Sequence, residues 1–162
     1  GLPVRAFLPV FADDAAHLSR MMAALGGGAA TGALAVAWLG RFQHMGRTLL
    51  VVQIVFGGLV ATFAALPITG ISYVILFLVG ATLLVVFSLT HSLVQLAVPN
   101  ALRGRVLSIY MVAFRGGMPI GSLISGYFIT LSSEQVVIAV NGLLLASVAA
   151  YFLVRSHEVR EL

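Results

Sequence analysis

The sequence predicts an all-α membrane protein, a bundle of about five transmembrane helices plus the end of a sixth. Three observations carry this. Hydrophobic residues make up 60% of the 162 positions against 9% charged, and mean hydropathy is +1.10. An ordinary soluble domain carries about a quarter charged residues and keeps much of its surface in water, so lipid is the solvent that fits. The apolar residues also gather into long continuous runs instead of short alternating segments, which favours helices over a barrel. Finally, the connectors between runs are short, which favours antiparallel neighbours.

Taken in order, the runs are Met21–Leu39, Thr48–Leu66, Ile71–Val98, Val106–Leu131 and Val136–Val154. Each is long enough to cross a core of about 30 Å at about 1.5 Å per residue. Gly1–Ala12 is apolar but short and is interrupted by Pro3 and Pro9, so it reads as the remnant of a preceding helix. The chain opens without an initiator Met and without a signal-peptide pattern, and further helices are expected upstream.

The connectors around residues 40–47 and 99–105, with the tail, hold Arg41, Arg47, Arg103, Arg105, Arg155 and Arg160, and the other side holds Arg5 and Arg20. Six against two places the first group in the cytoplasm. All nine basic residues are arginine, a bias of GC-rich coding sequences that suggests the cytoplasmic membrane of a bacterium. The arginines are scattered singly, so the net charge of +4 does not describe a nucleic-acid binder. There is no cysteine, no metal-ligand spacing and no nucleophile elbow, and no cofactor is called for. The cluster Gly26-Gly27-Gly28 with Gly32 lacks the ending of a phosphate loop and suits close helix packing or a soft point in a helix.

Arg115 is the most informative position. It lies near mid-bilayer in the fourth run, where an arginine costs several kcal/mol unless it meets a partner or a wet cavity. None of the five runs contains Asp or Glu, so its partner is carbonyls, water, a residue elsewhere or an anionic substrate group. Helical spacing puts Ser108, Arg115, Ser122 and Gly126 on one face. Gly117, Gly121 and Ser125 form a small-residue ridge on another, a helix-packing surface, and Pro119 favours a kink. In the third run Ser88, His91, Ser92 and Gln95 share a polar stripe. His91 could carry protons, but a neutral imidazole bonding across helices is the more frequent use. Gln53 and Asn141 are single amides that could meet substrate or a neighbouring helix.

Two segments carry a family resemblance. Pro99-Asn100-Ala101-Leu102-Arg103-Gly104-Arg105-Val106-Leu107-Ser108 leads into Phe114-Arg115-Gly116-Gly117-Met118-Pro119-Ile120-Gly121-Ser122. This resembles the cytoplasmic turn and following helix in the C-terminal half of major facilitator superfamily exporters, closest to the branch of transmembrane secretion effectors that includes the enterobactin exporter. Phe7-Leu8-Pro9-Val10-Phe11-Ala12 is similar to the end of the seventh helix in that branch. The resemblance implies helices eight to twelve of a twelve-helix transporter, exporting a small-molecule substrate by alternating access, with a proton as the candidate coupling ion. The turn at Leu39-Gly40-Arg41 through Gly46-Arg47 departs from the family pattern: it is stretched and has Gly40 at its acidic position, leaving Arg41 and Arg47 as its basic members. A structural or accessory membrane subunit is the alternative reading.

Overall fold

The computed structural model describes residues 15–39, 45–66, 70–100 and 102–155. Nearly all of them lie in five helices: α1 (Ala15–Leu39), α2 (Met45–Ala65), α3 (Gly70–Ala97), α4 (Arg103–Leu131) and α5 (Glu134–Arg155). All five are long and apolar enough to cross a membrane, and no strand occurs among the described residues. The molecule is an all-α, multi-pass membrane bundle. All five helices start before the apolar runs do, by three residues or more for α1 at Ala15, α2 at Met45 and α4 at Arg103. Polar side chains such as His17, Arg20 and Arg47 end a hydropathy run without ending backbone hydrogen bonding, because long arginine stems can lie along apolar surface with their heads in water. The expected helix remnant at Gly1–Ala12 lies outside the described residues, as does Arg41.

Lipid tails are as apolar as leucine, so helices in a bilayer associate through van der Waals fit and close backbone approach. Glycine supplies that approach twice here. On α1, a Cβ at Gly28 would collide with the Phe77 carbonyl and one at Gly32 with the Ala81 carbonyl. Gly80 of α3 returns the contact against the Leu25 carbonyl and the Ala29 amide. The register advances together, 28 with 77 and 32 with 81, so α1 and α3 run parallel. In the second pair, a Cβ on Gly57 would sit 2.5 Å from the Gly142 carbonyl and 2.9 Å from the Ala146 amide. Gly142 in turn faces Gly57 and Ala61, a register that advances in opposite senses, so α2 and α5 are antiparallel. Packing of α2 on α3 joins the two pairs around Met21, Leu25, Phe56, Val60, Phe63, Leu76, Val79 and Ile138.

Each helix therefore reverses the direction of the one before it. One end of the bundle gathers Arg47, Arg103, Arg105 and Arg155, and the other carries Arg20 and Glu134. Arg155 also lies 5.9 Å from the centre of the Tyr151 ring. Arg103 and Arg105 occupy the first turn of α4, where the positive end of the helix dipole opposes them by about 0.3–1 kcal/mol each. Helix stability therefore does not account for them.

Unlike the other four helices, α4 touches α3 and α5 only sparsely. Ser125, 6% exposed, is its one buried residue. Val112, Ile120, Leu123 and Tyr127 are all exposed.

Candidate functional site

The site begins with α4, the helix whose side chains these neighbours leave uncovered. Arg115 lies twelve residues from its start, about 18 Å along the axis, and is exposed. It makes no hydrogen bond or ion pair to another described residue. The helix runs unbroken through Pro119, which has no N–H to give to the carbonyl four residues earlier. That carbonyl belongs to Arg115. One turn near mid-helix thus presents a guanidinium and a backbone oxygen relieved of its helical donor.

The two serines on the same face are satisfied locally. Ser108 Oγ donates to the Gly104 carbonyl at 2.8 Å, and Ser122 Oγ donates to the Met118 carbonyl at 2.7 Å. Each keeps acceptor capacity only. Gly117 and Gly121 meet no described atom within 4 Å of where a Cβ would stand, so neither is used in packing among the five helices. Ser125, the third member of that ridge, is buried and accepts a hydrogen bond of 3.2 Å from Asn141 Nδ2 on α5.

That bond lies in a cleft of about 360 Å³ between α4 and α5, walled by Ile124, Phe128, Val136, Val140 and Leu144. It is one of few ties holding α4, and a double-mutant cycle of Ser125→Ala with Asn141→Leu should measure it. The expected coupling is about 0.6 kcal/mol, typical of hydrogen bonds between membrane helices. Unfolding in mixed micelles reads it out, and strictly additive effects would remove the bond from the account.

A second cavity, about 260 Å³, opens where α2, α3, α4 and α5 meet. Gln53 and Phe56 come from α2; Leu83, Val86, Phe87 and Thr90 from α3; Tyr110 and Phe114 from α4; and Leu145 from α5. Phe87 and Phe114 rings are 5.4 Å apart, and Tyr110 stacks on Phe114 at 6.0 Å. His91 stacks on Phe87 at 6.1 Å and lies tilted against Tyr110 at 6.0 Å, so its ring joins the same cluster. Its Nδ1 is buried and has no hydrogen-bond partner among the described residues.

The structure therefore divides the residues singled out by sequence. Gln53 and His91 converge on the aromatic cluster, and Asn141 joins Ser125. Arg115 lines neither cleft, and Ser108, Ser122 and Gln95 join neither group. Arg47, Arg103 and Arg105 are exposed at one end of the bundle. Sequence reasoning missed Phe87, Tyr110 and Phe114, although Phe87 with His91 and Tyr110 with Phe114 are both i, i+4 pairs that share a helix face.

No curated protein and no solved structure matches the chain. The transmembrane secretion effector family matches residues 2–162, nearly the whole sequence. That match, on a chain whose described residues form five helices long and apolar enough to cross a membrane, identifies it as a member of the transmembrane secretion effectors, a transporter family of the major facilitator superfamily.

Proposed function

We propose that the chain is the C-terminal half of a secondary transporter that exports a small molecule across the bacterial cytoplasmic membrane by alternating access. In such transporters two helical halves rock around a site near the midplane. The observation that carries this reading is Arg115, a mid-depth cation on the least covered helix, beside a carbonyl freed by Pro119. A charge at that depth is functional by default. Facing the other half, it would meet an anionic substrate group or a carboxylate of that half. The ridge of Gly117 and Gly121 would serve the same interface, letting a helix approach closely. A proton as coupling ion would use a carboxylate outside these helices, because Glu134, in the first turn of α5, is their one acidic residue among those described.

Transport is tested in inside-out vesicles from cells expressing the intact gene. They should accumulate at least one compound from a radiolabelled panel of small anions and neutral molecules, and lose it on adding an uncoupler. Uptake equal to that of vesicles lacking the protein, for every compound, would favour a structural subunit. Topology has its own check. The arginine-bearing end should face the cytoplasm, so Ser133→Cys should react with an impermeant maleimide on intact cells and Asn100→Cys only after permeabilisation. The reverse pattern would invert the orientation.

A further inference from the structure

The geometry points to a second binding site within the bundle: the cavity walled by Gln53, Phe87, Tyr110 and Phe114 takes an uncharged aromatic molecule of one or two rings bearing one polar group. Its volume sets the size. An apolar void of about 150 Å³ holds a benzene ring, so about 260 Å³ accommodates two fused rings. Its lining sets the class. No wall residue is charged, and four of them, Phe56 included, are aromatic, favouring offset or edge-on contact with a flat guest.

The polar handle follows from hydrogen bonding. Thr90 Oγ1 already donates to the Val86 carbonyl at 2.7 Å. The Gln53 amide and the Tyr110 hydroxyl make no hydrogen bond to any described residue, although both line the cavity. His91, packed against two of the wall rings, adds a buried Nδ1 without a described partner. Polar groups withdrawn from water without partners are costly, and a guest carrying one hydroxyl or carbonyl group would satisfy Gln53 or Tyr110. Access also fits a neutral guest. Two of the wall rings, Tyr110 and Phe114, belong to sparsely held α4, and an uncharged aromatic can arrive through the bilayer. This site is separate from Arg115, which is not among the wall residues.

Equilibrium binding of 2-naphthol to the intact protein in lipid nanodiscs tests the proposal, with empty nanodiscs subtracted. Saturable binding to a single site is expected. Gln53→Met or Tyr110→Phe should weaken it roughly three- to tenfold, the worth of one hydrogen bond, while leaving naphthalene binding unchanged. Val86→Phe, which fills the cavity, should abolish both. Weaker binding of 2-naphthalenesulfonate than of 2-naphthol is also expected. The proposal is overturned by the absence of saturable binding, or by equal affinities in Val86→Phe and the parent. It is likewise overturned if 1-decanol competes as well as naphthalene, which would make the cavity a slot for an acyl chain. Binding is read without flux, so failure here leaves the transport reading standing, and failure of transport leaves the site standing.

Discussion

Gly80→Leu should strongly destabilise the bundle by forcing the α1–α3 interface apart. A Cβ at residue 80 would overlap the Leu25 carbonyl and lie 3.1 Å from the Ala29 amide. Both obstacles are helix backbone, which cannot swing away as a side chain can. The helices must separate, and the contacts of Gly28 with Phe77 and of Gly32 with Ala81 would be lost together. Overpacking a core commonly costs about 1–3 kcal/mol. Backbone collision puts this case at the upper end, about 3 kcal/mol or more. Gly58→Leu is the matched control, because Gly58 is exposed and a Cβ there meets nothing within 4 Å. There the gain in helix propensity, up to about 1 kcal/mol, is uncompensated by any clash, so stability should hold or rise. Thermal unfolding in detergent compares the two variants, and equal Tm values would remove the glycine contact from the account of the fold.

That interface also shows what the amino-acid order reveals and what it conceals. A membrane span is a one-dimensional property, since length and apolar content decide it, so the five helices are legible as runs. Their first residues are less so, because Arg20 and Arg47 lower local hydropathy without interrupting a helix. Partner choice is a property of two helices at once. The cluster at Gly26 to Gly28 advertises a close approach, yet its partner surface contains one isolated glycine, Gly80, which no spacing rule marks. Gly57 and Gly142 meet backbone to backbone although they are 85 positions apart. Gly117, Gly121 and Ser125 have ideal packing spacing, but among these helices Ser125 alone is buried, because Asn141 stands opposite it. The aromatic cavity was hidden for the same reason. Each helix contributes an ordinary i, i+4 pair of rings, and what makes a site is their interleaving across α3 and α4. Arg115 needed no partner to be noticed, because its depth alone is costly.

For that residue the decisive comparison is between stability and export. Charge at the centre of a membrane helix opposes insertion by about 2.5–3.5 kcal/mol on insertion scales. Arg115→Gln removes that cost and keeps a polar side chain, so a variant whose arginine serves only transport should insert and unfold as the parent does, or better. Its export should fall about ten- to a hundredfold, the worth of a charge-assisted hydrogen bond of about 1.5–3 kcal/mol. An anionic substrate should suffer more than a neutral one, because only the former loses a Coulombic partner. Arg115→Lys preserves the charge but loses the planar fork of donors and should recover part of the rate. A structural arginine predicts another pattern: Arg115→Gln would lower Tm and yield, with transport falling in proportion to the folded protein remaining. Efflux and unfolding measured on the same preparations separate the two. A stable, correctly inserted Arg115→Gln protein exporting at the parental rate would remove Arg115 from the pathway and leave the freed carbonyl beside Pro119 as a feature of helix packing alone.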